Sequence, residues 1–175
     1  IDEDGNELPG TVLITGEEYG FSDEVAGRIE DTFDWLNSVD PTLVRSFLST
    51  TKYVSAEIAP GDYLKNLGYG GTYFYNLGLV LISQSCIQVN MDMNDDAEEV
   101  IIPLITKYYF VESTAIQYQL AYPDDPFLAV GTYKGQALID WAADMLSQGK
   151  INQFYYNALK HYGESTISYY ERYFS

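Results

Sequence analysis

Residues 97–122 read AEEVIIPLITKYYFVESTAIQYQLAY, and this apolar stretch decides the fold. Its residues recur at three- and four-residue spacing, which places one set on a single face of a helix: Leu104, Tyr108, Val111, Ala115, Tyr118 and Tyr122. The other positions are nearly as apolar, so we expect this helix to be covered on more than one side. Pro103 lies near its start, where a missing N–H costs little, or divides it into a short turn and a main helix.

The size and charge of the chain limit its class and its partners. The chain has 175 residues, of which 46% are hydrophobic, and this size and composition predict one globular domain at 11–175. Residues 1–10 (IDEDGNELPG) are mostly polar, so they are predicted to form a leader before that domain. The formal net charge is −17, and Asp and Glu outnumber Lys and Arg by 19 to 4 in residues 1–100. Such a surface repels phosphate groups, so we expect no nucleic-acid partner and no anionic membrane. Cations, basic proteins, peptides and neutral glycans remain open as partners.

Location is suggested by composition. The chain begins at Ile1 rather than Met, holds 17 Tyr and is poor in Lys and Arg. This pattern predicts an extracytoplasmic bacterial domain, secreted or at the cell surface, whose signal has been removed. No apolar run approaches the length of a membrane span, so we expect no membrane insertion.

The first half of the chain predicts short strands and two helices. Ser22 and Asp40 are capping residues, and each is followed by a helical apolar pattern. Strands are predicted at 11–15 (TVLIT) and 52–59 (KYVSAEIA), a hairpin at 72–83 that turns at 76–78, and a further short strand at 86–91.

The second half predicts helices only. Residues 122–127 form a turn, and Thr132 caps a helix that runs through Ser147 and is closed by Gly149. Two more helices are predicted at 151–162 and 164–174, separated by a break at Gly163. The fold class is therefore α+β, with a small sheet from the N-terminal half packed against a helical C-terminal half.

Metal and nucleophile chemistry lack their usual residues. The chain has one cysteine, Cys86, and one histidine, His161, which are too few for a classical zinc site. The two lie far apart in sequence, and we expect an inert buried thiol and a structural histidine rather than a catalytic pair. Two acidic runs, at 2–6 and 92–98, imitate calcium loops but lack the turn glycine and the bidentate acid. We therefore expect no metal and no cofactor.

Two functional hypotheses remain from the residues themselves. Glu112 and Glu57 are the acids in the most apolar surroundings. A hydrolase that uses carboxylates alone, either glycosidase-like or dependent on a metal other than zinc, would depend on Glu112 meeting a second acid. Tyrosines favour instead a non-catalytic domain that binds a peptide, protein or glycan in a groove beside the 97–122 helix. The candidate binding residues are Glu112, Tyr73, Tyr75, Tyr108 and Tyr109. A scaffold protein with a large apolar patch is a third alternative, and the oligomeric state stays open.

The order of elements resembles the zincin-like metallopeptidase domain related to the catalytic domain of anthrax lethal factor. The similarity runs through helices at 22–48, a strand at 52–59, Gly71-Thr72-Tyr73, the 79–83 segment LVLIS, the 97–122 helix and the last segment, 164–174. In that family the long helix carries H-E-x-x-H and a later helix gives an acidic zinc ligand. Here residues 98–109 hold no histidine, so the resemblance implies a metal-free, inactive relative and transfers no functional residue.

Overall fold

The architecture is α+β, with a small sheet from the first half of the chain and helices throughout the second half. The computed structural model describes residues 13–14, 21–56 and 71–175. The described strands are β1 (Leu13–Ile14), β2 (Tyr53–Ala56), β3 (Gly71–Phe74) and β4 (Leu79–Ile82). The described helices are α1 (Asp23–Val39), α2 (Pro41–Leu48), α3 (Gln84–Met93), α4 (Glu98–Ala121), α5 (Phe127–Ser147) and α6 (Gln153–Phe174).

The sheet has the strand order β1-β2-β4-β3. β1, β2 and β4 are parallel, and β3 returns antiparallel to β4 through the turn at residues 75–78, which confirms the predicted hairpin. Gly78 completes this turn at φ +62°, and an added Cβ would lie 2.6 Å from the carbonyl oxygen of Thr50. In this order β1 and β3 are the two edge strands of the described sheet.

Helices α1 and α2 begin where their capping residues predict. The Ser22 hydroxyl accepts a hydrogen bond from the Val25 N–H, and the Asp40 carboxylate accepts one from the Leu43 N–H. Asp40 also accepts a hydrogen bond from the Trp141 indole at 2.9 Å, which ties the start of α2 to α5. The apolar residues of α1 at helical spacing face the core: Val25, Ile29 and Leu36 are buried, and Phe33 packs against that core.

Helix α4 is the centre of the core. Fifteen of its residues are buried, including every position from 101 to 116 except Lys107, so the helix is covered on several sides as expected. Pro103 lies inside the helix, which continues through it without a break. Burial of the surrounding apolar turns outweighs the one backbone hydrogen bond that proline removes.

The strand predicted at 86–91 is wrong, because this segment belongs to helix α3. The Ser83 hydroxyl caps the helix by accepting a hydrogen bond from the Cys86 N–H. Only Ile87 and Met91 are fully buried, a four-residue spacing typical of a helix packed on one side. The acidic residues that follow form a turn in which Asp95 and Asp96 adopt positive φ, and Glu98 and Glu99 occupy the first turn of α4.

Two boundaries in the second half also differ from the prediction. Helix α5 begins at Phe127 after Pro126, not at Thr132, whose hydroxyl donates to the Leu128 carbonyl inside the helix. Gly163 does not break the chain, because residues 153–174 form the single helix α6. Gly149 does close α5, at φ +72°.

Gly163 is a contact residue between α5 and α6. A Cβ added there would lie 2.7 Å from the Gly135 carbonyl oxygen and 2.5 Å from the Ile139 Cγ1. Gly135 has the reciprocal contact, 2.8 Å from the Gly163 carbonyl oxygen. The glycines therefore let the two helix backbones touch, which outweighs their low helix propensity.

Several expectations fall outside the described residues: the leader at 1–10, most of the 11–15 strand, the end of the 52–59 strand and the acid Glu57. Within the described helices, none is both long and apolar enough to cross a membrane.

Candidate functional site

An open groove of about 730 Å³ lies between the sheet edge and the last three helices. β3 and the 75–78 turn form one wall, α4 forms the floor, and α5 and α6 form the other wall. The lining consists of Gly71, Thr72, Tyr73, Phe74, Tyr75, Asn76, Leu77, Lys107, Val111, Glu112, Gln119, Phe127, Lys134, Ser165, Thr166, Tyr169, Tyr170 and Phe174. Its volume is in the range of sites that hold small molecules or short peptide segments.

Aromatic rings dominate the walls of the groove. Phe127 and Phe174 meet with ring centroids 5.8 Å apart, and Tyr170 stacks on Phe174 at 5.1 Å. Phe74, Phe127 and Phe174 are exposed, with 55% of Phe127 open to solvent. Exposed rings gathered at one concave surface are typical of recognition sites.

Glu112 and Lys134 form a buried ion pair at the floor. The Lys134 Nζ donates to the Glu112 Oε1 at 3.1 Å, and the two side chains are only 3% and 7% exposed. The second oxygen, Glu112 Oε2, has no hydrogen-bond partner among the described residues. A buried pair of this kind depends on both members, because either charge alone is expensive to keep out of water.

Two tyrosine rings surround the Lys134 ammonium. Its Nζ lies 4.8 Å from the Tyr170 ring centroid and 5.3 Å from that of Tyr73, within the range of cation–π contacts. Burial alone would lower the pKa of Lys134, but the Glu112 carboxylate and the Tyr170 hydroxyl outweigh it and raise this pKa above its ordinary value. Lys134 is therefore a cation at any physiological pH.

Glycine makes room for Tyr170. A Cβ on Gly131 would lie 1.9 Å from the Tyr170 Cγ, so the ring rests directly on the backbone of α5. Gly131 lies one turn before Lys134, which is why the ring also reaches the ammonium. On the opposite wall, Gly71 brings β3 close to α4, since its Cβ would lie 3.6 Å from the Glu112 Cγ.

Lys107 is the second lysine of the groove. Its Nζ lies 4.8 Å from the Tyr108 ring centroid, and no carboxylate of the described residues lies within 4.0 Å of it. Burial lowers the pKa of Lys107; Glu112 acts against this change and Lys134 reinforces it. Lys107 is thus a largely buried amine without a direct acidic partner in the described structure.

Tyr73 and Tyr75, two of the candidate binding residues, line the groove. The Tyr73 hydroxyl donates to the Gln119 Oε1 at 2.7 Å, which links β3 to α4. Burial raises the pKa of Tyr73 to about 12, although the Lys134 charge acts in the opposite direction. Tyr75 lies in the turn after β3 and is partly exposed.

Tyr108 and Tyr109 belong to the core and do not line the groove. Tyr109 is 1% exposed and packs against Phe33 at 4.7 Å and Phe47 at 5.5 Å between centroids. Tyr108 is 6% exposed and lies beside Cys86. Burial raises the pKa of both hydroxyls. The two residues therefore hold the helix in place rather than contact a ligand from the groove.

Metal-binding chemistry has no cluster to support it in the described structure. No group of three His, Cys, Asp or Glu side chains comes together there. His161 is exposed on α6, and Cys86 is a partly buried free thiol. Of the described lining residues, Glu112 is the single acid, and its Oε1 is engaged by Lys134.

Of the candidate binding residues, Glu112, Tyr73 and Tyr75 line the groove. The sequence hypothesis did not include Lys107, Lys134 and Tyr170, which also line it. A signal for Lys134 exists, because it falls between Val130 and Leu138 on the buried stripe of α5. A lysine on an apolar helical stripe predicts a buried partner of opposite charge. Tyr170 gives no such signal, since its place depends on how α6 crosses Gly131.

No family model, curated protein or solved structure matches this chain. The geometry of the groove and the chemistry of its lining residues therefore carry the functional argument.

Proposed function

We propose that this domain is a non-catalytic binding module that holds a ligand, in the first place an extended peptide, in the groove formed by β3, α4, α5 and α6. The observation that carries the proposal is the aromatic groove itself, with its fixed ion pair at the floor. Rigid rings give large contact area at low entropic cost, and the buried polar floor gives orientation.

A peptide is favoured over a glycan by the edge strand. All four residues of β3 line the groove, and β3 pairs on one side only among the described strands. An extended segment can add to such an edge through main-chain hydrogen bonds, while alternate side chains enter the aromatic walls. A sugar could stack on the aromatic rings but would not extend the sheet through main-chain hydrogen bonds to β3.

The rival hydrolase hypothesis needs a second carboxylate beside Glu112. The described lining offers none, and Glu112 is paired with a lysine instead. This arrangement favours the binding module, since both carboxylate mechanisms of glycoside hydrolysis use two acids across the scissile bond.

Kinship with zincin-like domains and an extracytoplasmic location remain part of the proposal. The proposed kinship rests on the order of elements in the sequence, in which the place of the helix that bears H-E-x-x-H falls to α4, the floor of the groove. An inactive relative would keep the cleft and lose the metal.

Binding to peptide and glycan arrays tests the proposal, with a matched pair of variants. Phe127 and Phe154 are each 55% exposed, but only Phe127 lines the groove. We expect Phe127→Ala to weaken peptide binding at least about tenfold and Phe154→Ala to leave it unchanged, because only the first removes a ring from the site. Failure to bind any peptide, or equal binding by both variants, would overturn the proposal.

A further inference from the structure

The charges of the groove differ in sign from those of the whole chain. Its described lining contains two lysines and one acid, so it carries one excess positive charge in a protein whose formal net charge is −17. Glu112 neutralises Lys134 at 3.1 Å. The excess cation is therefore Lys107, which lines the groove.

The surroundings of Lys107 suit the binding of a carboxylate from a ligand. Its neighbours with charge or a titratable hydrogen are Glu112, Lys134, Cys86 and Tyr108, and none of these gives it a salt bridge in the described structure. A buried ammonium without a carboxylate is costly, and a carboxylate brought by a ligand would remove that cost. The Tyr108 ring holds the amine from one side at 4.8 Å and leaves the groove side for the ligand.

We propose that Lys107 selects ligands by their carboxylate, so that the groove takes an acidic peptide whose side-chain or C-terminal carboxylate pairs with the Lys107 ammonium. This inference rests on the proposed function and names the chemistry of the ligand. Glu112 forms its salt bridge with Lys134 and none with Lys107 in the described structure, and its second oxygen, Oε2, has no hydrogen-bond partner there. Charge complementarity of this kind gives specificity more than raw affinity.

Octapeptide arrays in matched forms provide the test. Each sequence is printed with Asp or Glu and with Asn or Gln at the same position, and with a free or an amidated C terminus. We expect the wild-type protein to retain the carboxylate forms at least about tenfold better than the amide forms. Lys107→Gln should bind both forms alike, and Lys107→Glu should favour peptides with Lys or Arg. Lys150→Gln, which changes an exposed lysine outside the groove, should behave as wild type.

A second measurement uses the wild-type protein and so does not depend on how the variants fold. The NMR signal of the Lys107 ε-carbon gives the pKa of this amine directly. We expect that pKa to rise when the best-bound acidic octapeptide is added and to stay unchanged with its amide analogue at the same occupancy.

The outcomes separate the two proposals. Peptide binding that depends on Phe127 but ignores the carboxylate would overturn the inference and leave the binding module standing. A carboxylate preference that survives in Lys107→Gln would also overturn it. Preferential binding of uronic-acid or sialic-acid glycans would overturn the peptide assignment, and absence of all binding would overturn both proposals.

Discussion

Glu112 and Lys134 show at the scale of single residues how the groove is held. Each side chain is almost fully removed from water, and each finds its counter-charge across 3.1 Å. Such a pair adds little net stability over an apolar replacement, but loss of one partner leaves the other charge buried alone. The pair therefore fixes the position of α5 on α4 and the shape of the floor.

Glu112→Gln is expected to lower the free energy of unfolding by about 3 to 5 kcal/mol, because Lys134 is left as an uncompensated buried cation. Urea denaturation at neutral pH gives this quantity. Lys134→Met is expected to be destabilising as well, because it leaves the Glu112 carboxylate as an uncompensated buried anion.

The double variant Glu112→Gln/Lys134→Met is the control for the two single variants and completes a double-mutant cycle. It removes both charges, so its loss of stability should be smaller than the sum of the two single losses by about 2 kcal/mol or more. Additive losses would mean that the two side chains do not depend on each other.

At this scale the sequence predicts the acid but not its partner. Glu112 is visible because it interrupts an apolar helix, whereas Lys134 is recognised only when the buried stripe of α5 is known to pass through it. Tyr108 and Tyr109 could not be told from groove residues, because a nearly continuous apolar helix gives no sign of which neighbour covers each face.

At the scale of elements, the contact between α5 and α6 sets the position of the groove wall. Gly135 and Gly163 bring the two backbones together, and Gly131 then seats the Tyr170 ring over Lys134. The wall of the groove and the cation at its floor are thus positioned by three glycines that carry no chemistry themselves.

Gly163→Ala is expected to destabilise the protein by about 2 kcal/mol, although alanine is the better helix former. The new Cβ would lie 2.7 Å from a backbone oxygen of α5, which cannot move aside without moving the helix. Thermal unfolding measures the change.

Gly27→Ala is the matched control in helix α1. Nothing lies within 4 Å of a Cβ at this position, so the substitution should stabilise the protein by about 0.5 to 1 kcal/mol. If both variants shift stability in the same direction, the close contact between α5 and α6 is not what Gly163 provides.

The helix boundaries predicted from the sequence were wrong where one residue type can have two structural roles. Gly163 is a helix breaker in an exposed helix but a contact surface in a packed one. Thr132 can cap a helix, and it can equally donate its hydroxyl to a carbonyl one turn earlier, as it does here. Residues 86–91 are short and apolar, so their period alone could not separate a strand from the helix that Ser83 caps.

The whole molecule combines a strongly acidic chain with several tyrosines that are buried, such as Tyr108 and Tyr109, or partly buried, such as Tyr73. In the folded protein these tyrosine hydroxyls keep their protons to a higher pH than in the unfolded chain. Burial raises the pKa of Tyr73 to about 12, and it also raises the pKa values of Tyr108 and Tyr109. In the unfolded chain they ionise near pH 10.

Stability is therefore expected to fall as pH rises above about 10, because the folded state then binds more protons than the unfolded state. Lys107 contributes with the opposite sign at lower pH: burial lowers its pKa, so stability gains from it as pH rises towards about 10.5. Urea midpoints measured between pH 8 and 12 should pass through a maximum and then decline. Tyr109→Phe should decline less steeply, and a midpoint that stays constant above pH 10 would contradict the account.

The fold class was predictable as a whole because it depends on periodicity and caps summed over long segments. The α4 helix, the hairpin and the division into a sheet half and a helical half follow from apolar spacing together with capping and turn residues. The groove was not predictable in detail, since its walls come from β3, α4, α5 and α6, which meet only in three dimensions.

The most direct measurement is a ¹H–¹⁵N NMR titration of the protein with the octapeptide that binds best on the array. The account predicts that shift changes concentrate on groove residues such as Tyr73, Leu77, Gln119 and Tyr169, while Val89 and Met93 on the exposed face of α3 stay unchanged. Changes centred outside the groove, or none at saturating peptide, would contradict the claim that this groove is the binding site.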